Sequence, residues 1–112
     1  MTEGAELDGL SATLEAAQPD TVVIRLAGEL DLATREQVTE AVRAVLPAFR
    51  PGALVLDLGD VTLLDSAGIG ALVSCWKLAN GVGCVLSLRN PQPLAYAQLE
   101  LTGLLDVLGV AP

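Results

Sequence analysis

Three short apolar runs constrain this chain more than anything else in it. VVIRLAG (22–28), ALVLDL (53–58) and GCVLSL (83–88) are each opened or closed by glycine, and each has strand length rather than helix length. Between them lie two stretches with apolar residues at helical spacing. The first carries Val38, Ala41, Val42, Val45, Leu46 and Phe49, the second Ile69, Leu72, Val73 and Trp76. Strand, helix, strand, helix, strand calls for crossovers between parallel strands. Upstream, LSATLEA from Leu10 alternates, with Ala12, Leu14 and Ala16 on one side and Ser11, Thr13 and Glu15 on the other; QPDT then turns the chain into VVIRLAG as an antiparallel hairpin. The predicted fold is therefore α/β, a single layered domain over residues 1–112. Its central sheet is mixed, an N-terminal antiparallel hairpin followed by parallel strands, with flanking α-helices. Residues 1–8 are expected to form a flexible tail.

Punctuation residues set the expected boundaries. Thr34 and Gln37 fit a capping box at the start of the first helix, and Pro47 and Pro51-Gly52 close it. ALVLDL suits a strand covered on both faces. Lys77 and Asn80-Gly81 end the second helix. Asn90 reads as an N-cap with Pro91 at the first helical position. The helix that follows has Leu94, Gln98, Leu101 and Leu105 along one face and a break at Gly103, with a short strand near 106–108. With one Trp, one Tyr and one Phe in 112 residues, the core has to be aliphatic. Cys75 and Cys84 form no CxxC and have no histidine beside them, so they read as buried free thiols.

Composition removes several kinds of function. A net charge of −8 repels nucleic acid and anionic lipid and favours a protein partner of basic character. Charges or glycines interrupt every apolar run well before the roughly 20 residues that cross a bilayer. The start, MTEGAELDGL, is acidic and unlike a secretory signal, so a cytoplasmic location is expected. Without histidine no serine has its commonest base, and no GxSxG elbow is present. The pairs Glu29 with Asp31 and Asp57 with Asp60 are what frequent acidic residues produce by chance rather than a glycosidase site. GIGALV imitates a dinucleotide fingerprint, but Val73 stands at the third glycine, no acidic residue follows at the required distance, and no Walker lysine is present. No cofactor or metal is expected, and the chain reads as a binding module rather than an enzyme.

The chemistry that remains centres on DVTLLDSAGIGAL, Asp60 to Leu72. Ser66 stands where a helix should begin, a position in which serine is a preferred N-cap. Gly68 and Gly70 in the first turns cost up to about 1 kcal/mol each relative to alanine, and they offer a bare backbone that a second surface can approach. A phosphoryl group on Ser66 would add about −1.5 to −2 charges at a helix start whose N–H groups and dipole tolerate them.

Three motifs in order resemble the STAS domains of bacterial anti-sigma factor antagonists: VVIRLAGELDLAT with its G-x-L-D loop, LVLDLGDVTLLDSAGIGAL with its D-S-x-G-[IL]-G signature, and LELTGL with its late turn. The resemblance spans nearly the whole chain. It implies that Ser66 is phosphorylated by a cognate anti-sigma factor with serine kinase activity. The unphosphorylated chain would bind that ATP-binding kinase and free its sigma factor, and a PP2C-type phosphatase would reset the switch. ATP and Mg belong to the kinase. Asp31 matches the loop aspartate and Asp65 the signature aspartate, both beside the serine and the partner contact; Gly68, Ile69 and Gly70 match the positions that present the helix start. Ala67 stands where many members carry a second Ser or Thr, which removes an alternative acceptor. The competing readings are a STAS scaffold that does not switch, with Ser66 acting only as a cap, and a nucleotide-binding module built on Asp31, Asp65 and Ser66.

Overall fold

A computed structural model of the chain describes residues 9–111; the expected flexible tail at 1–8 lies outside the described residues. Within 9–111 the chain forms β1 (Leu10–Gln18), β2 (Thr21–Leu30), α1 (Arg35–Phe49), β3 (Ala53–Leu64), α2 (Ser66–Asn80), β4 (Val85–Arg89), α3 (Pro93–Leu101), α4 (Leu104–Leu108) and β5 (Val110–Ala111). The strands lie in one sheet in chain order, β1-β2-β3-β4-β5. β1 and β2 are antiparallel, and every later pair is parallel, so the mixed α/β sheet expected from the sequence is the one formed.

Register shows why these runs became strands. Val22, Leu54 and Leu86 lie side by side across β2, β3 and β4, and so do Ile24, Leu56 and Leu88. All six are buried. Onto this aliphatic face α1 packs Val38, Val42 and Leu46, and α2 packs Ala71, Leu72, Cys75 and Ala79. Ala95 and Leu99 of α3 and Leu108 of α4 join the same continuous cluster. Leu58 and Leu72 are fully enclosed, and Ile69 and Trp76 pack from the edge. Both cysteines are buried and unbridged. Burial pushes the Cys75 thiol up to about 12 and Cys84 upward too, so neither is a reactive thiolate in the folded chain.

The opposite face of the sheet is not a second apolar layer, which corrects the expectation for ALVLDL. There Arg25, Asp57 and Arg89 stand in register across three strands. Asp57, only 7% exposed, accepts from Arg89 Nη2 at 2.7 Å and Nε at 3.0 Å, and from the Gly59 N–H at 2.8 Å. Arg89 also donates to Glu15 of β1 at 2.9 Å, and Arg25 pairs with Asp60 at 3.3 Å. Inside an otherwise apolar run a carboxylate this buried stays ionised because the guanidinium and the amide replace its water.

Several boundaries differ from those expected. β3 runs on through GDVTLL to Leu64, because β2 is long enough to pair with it to Leu30. On β1, Leu14 is exposed: the strand is the sheet's edge and bulges between Leu14 and Ala16, so its alternation buries only Leu10 among the described apolar side chains. Pro47 lies inside α1, where losing one N–H near the last turn is tolerated; the helix ends when Arg50 adopts left-handed backbone (φ 48°). Asn90 is also left-handed (φ 58°) and therefore turns the chain instead of capping, and α3 begins at Pro93 behind Gln92. Leu94 and Leu101, 82% and 87% exposed, do not line the buried face of α3, which Ala95 and Leu99 supply. Residues expected as a terminal strand at 106–108 belong to α4, and the strand follows at Val110–Ala111, parallel to β4.

Burial raises the Asp57 carboxyl, but the Gly59 amide, Arg89 and Asn90 outweigh it, and the group is held below its ordinary value of 3.8. A carboxylate held low stabilises the fold wherever its unfolded counterpart is ionised, above about pH 4, and stops doing so as pH falls through the folded value. Asp57→Asn should therefore cost on the order of 2 kcal/mol at neutral pH and flatten the acid limb of the stability curve. Urea titrations of both proteins at neutral pH and below about pH 4 measure this.

Candidate functional site

β2 and β3 run parallel and end together, Leu30 beside Leu64. The helices that follow both strands therefore start at the same end of the sheet, the edge where open α/β folds place their sites. α1 is reached through the loop Asp31-Leu32-Ala33-Thr34, α2 directly through Asp65.

The loop is pinned by its own polar atoms. Asp31 Oδ1 accepts from the N–H groups of Ala33 (3.0 Å) and Thr34 (3.2 Å), an Asx-type turn. The Thr34 hydroxyl, 2% exposed, donates back to the Glu29 carbonyl at 2.7 Å and accepts the Asp31 N–H at 3.0 Å. Thr34 thus occupies the N-cap position of α1 without capping it, and the expected capping box is corrected: the hydroxyl is spent holding the loop against the end of β2. With the polar atoms turned inward, Leu32 is left 65% exposed.

At α2 the cap is Asp65 and not Ser66. Asp65 Oδ1 accepts the Gly68 N–H at 2.9 Å, its backbone is extended (φ −108°, ψ −174°), and its own N–H donates to the Leu30 carbonyl at 3.3 Å. Ser66 is the first helical residue and is exposed. Since Asp65 meets the capping demand, the Ser66 hydroxyl is free of any structural hydrogen bond among the described residues.

The two glycines of the signature have opposite reasons. A Cβ on Gly68 would stand 2.3 Å from the Leu30 carbonyl oxygen, so α2 can approach the end of β2 this closely only with a bare Cα. A Cβ on Gly70 would meet nothing within 4 Å. Gly68 is buried, Ile69 is half-buried against the core, and Gly70 lies open beside Ser66 and Ala67 on the wall of a groove of about 560 Å³ between α1 and α2. The structure therefore brings Asp31, Asp65, Ser66 and Gly70 to one end of the sheet and turns Gly68 inward. Sequence reasoning passed over Leu32 and the two arginines of that groove, Arg35 and Arg43. The arginines' eight-residue spacing, which places them on one side of a helix, was the available signal.

The end of the sheet thus presents the start of α2 with an exposed hydroxyl that makes no hydrogen bond with a described residue. Residues 13–109 match the family described as Mlab, STAS domain, and the chain belongs to that family. An anti-sigma F factor antagonist of Lysinibacillus sphaericus is 30% identical over 91 residues, 81% of this chain and 78% of the relative. The crystal structure of an anti-sigma factor antagonist from Mycobacterium paratuberculosis superposes with a TM-score of 0.80 at 26% identity, covering 94% of this chain and 87% of that one. The Bacillus cell fate determinant SpoIIAA in its phosphorylated form superposes with a TM-score of 0.68 at 25% identity, covering 91% and 92%. Among the described residues no cluster of His, Cys, Asp and Glu could hold a metal ion, and no helix is long and apolar enough to cross a membrane.

The environments of the glycines predict opposite outcomes in urea unfolding. Gly68→Ala should lose about 2–3 kcal/mol by overpacking against Leu30, whereas Gly70→Ala should gain up to about 1 kcal/mol from helix propensity. The cap is tested likewise: Asp65→Ala should cost about 1 kcal/mol, and Ser66→Ala, which removes no cap, should leave the unfolding midpoint nearly unchanged.

Proposed function

We propose that this chain is an anti-sigma factor antagonist whose unphosphorylated form binds a cognate anti-sigma factor with serine kinase activity and releases the sigma factor, and that phosphorylation of Ser66 ends the binding. The observation that carries the reading is the exposed Ser66 hydroxyl, left without structural work because Asp65 caps the helix. Relatives named as antagonists of anti-sigma F and anti-sigma-B factors support the partner class, and a neighbour of the same fold in a phosphorylated form supports the modification.

The chain is a substrate in this scheme and needs no base of its own. The kinase supplies ATP, Mg and the group that takes the hydroxyl proton; the bond from the γ-phosphorus to ADP breaks as that to Ser66 Oγ forms. Asp31 and Asp65 flank the acceptor, while Ile69 and Gly70 complete the face offered to the partner; Gly68 contributes by letting α2 sit close to β2. Adding about two negative charges beside Asp65 in a chain already at −8 makes that face repel the acidic residues of a kinase centre. The first-turn N–H groups of Ser66 and Ala67, which no described residue accepts, let the helix start carry that charge without unfolding. A PP2C-type phosphatase returns the hydroxyl, and the cycle runs in the cytoplasm.

Pull-down from host lysate with wild-type and Ser66→Asp baits, read by quantitative mass spectrometry, tests this. A small ATP-binding kinase should be captured by wild type and depleted at least about tenfold with Ser66→Asp, the loss that about 1.4 kcal/mol of repulsion produces. Equal capture by both baits would make the chain a scaffold that does not switch.

A further inference from the structure

The groove beside Ser66 has a second wall. α1 contributes Arg35 and Arg43, and α2 contributes Ser66, Gly70 and Ser74. Both helices follow parallel strands from the same end of the sheet, so they run in the same direction. Arg35 is the first residue of α1 and Ser66 the first of α2; Arg43 and Ser74 each lie eight residues later, about 12 Å along their helices. Along the groove, Arg35 and Ser66 therefore lie toward the end where both helices start, and Arg43 and Ser74 toward the other. Consistent with this, the Arg43 charge acts on the Cys75 thiol, next to Ser74 and far along α2 from Ser66.

Both arginines are uncommitted. The ion pairs among the described residues engage Arg25 and Arg89 on the opposite face of the sheet, and neither Arg35 nor Arg43 makes an ion pair or side-chain hydrogen bond with a described residue. Arg35 is, moreover, poorly placed for its own helix, since a cation at the first helical position faces the positive end of the macrodipole. A residue that local energetics disfavour and that has no resident partner is one whose partner arrives later.

We infer that Arg35 is the internal receptor for a phosphoryl group on Ser66, its guanidinium swinging across the mouth of the α1/α2 groove to take two phosphate oxygens. A planar guanidinium suits that bidentate contact better than an ammonium would. The clamp opposes the acidic groups that also face the site, Asp65 and the Asp31 loop at the sheet end and Glu36 and Glu40 on α1. It also lays the Arg35 stem over the exposed helix start, so the modified chain covers the face it offers when unmodified. Release from the partner then comes from an occupied contact surface as well as from repulsion.

The inference rests on Ser66 being the modified residue, and its test is independent of any kinase. Full-length chain with phosphoserine installed at position 66 during translation is titrated by 31P NMR around the ordinary phosphate value of about 6, alongside Arg35→Gln, Arg35→Lys and Arg43→Gln versions, each checked for folding by circular dichroism. Arg35→Gln should raise the phosphate pKa by about half a unit to one unit, Arg35→Lys should raise it less, and Arg43→Gln should leave it near the wild-type value. Equal shifts in Arg35→Gln and Arg43→Gln, or no shift in either, would overturn the clamp and leave the helix start as the phosphate's only support. A negative titration leaves the kinase-capture result standing, and failed kinase capture leaves the titration interpretable.

Discussion

The start of α2 rests on the end of β2 at one backbone seam. The Leu30 carbonyl accepts the Asp65 N–H and comes so close to Gly68 that no Cβ fits between them. The two atoms of Leu30 and the bare Cα of Gly68 fix where the helix begins, which way it leaves the sheet, and so which residue stands first on it. Everything at the site follows from that placement. Asp65 is held extended and caps; Ser66, one position on, is relieved of capping and projects outward. The hydroxyl is available because a carboxylate and a glycine next to it do the structural work.

On the open face of the sheet Asp57 and Glu15 pair with Arg89 and Asp60 with Arg25, which ties four strands together through side chains. Two of the six basic residues are engaged there; the other four form no ion pair with a described residue, and two of these, Arg35 and Arg43, line the groove beside Ser66. The Asp31 loop adds rigidity: with Asp31 and Thr34 bonded to each other and the Thr34 hydroxyl donating to the Glu29 carbonyl, Leu32 is held outward.

Periodicity identified β2, β3, β4 and both long helices because their buried faces are continuous: leucine and valine at period two on the sheet, valine, leucine and cysteine at helical spacing on α1 and α2. It failed where short polar residues could serve more than one local use. Thr34 has the hydroxyl of an N-cap, yet it bonds backward to Glu29; Asn90 has the amide of an N-cap, yet it takes a left-handed turn. Leu94 and Leu101 have the apolarity of a core face but sit on a short helix that contributes only Ala95 and Leu99 to the interior. Such choices turn on differences of about 1 kcal/mol, which neighbours in space decide.

The sequence alone determined the layered α/β class, the aliphatic core, the position of the D-S-x-G-[IL]-G signature and the membership it signals, since hydrophobic period and motif order are properties of the chain read along its length. Only the tertiary structure decided that Asp65 rather than Ser66 caps α2, that one glycine is required and its neighbour two positions on is not, and that Arg35 and Ser66 line the same groove. Those facts depend on which strand end lies against which helix start, and parallel pairing joins residues more than thirty positions apart, Leu30 with Leu64, across a helix that no local pattern can measure.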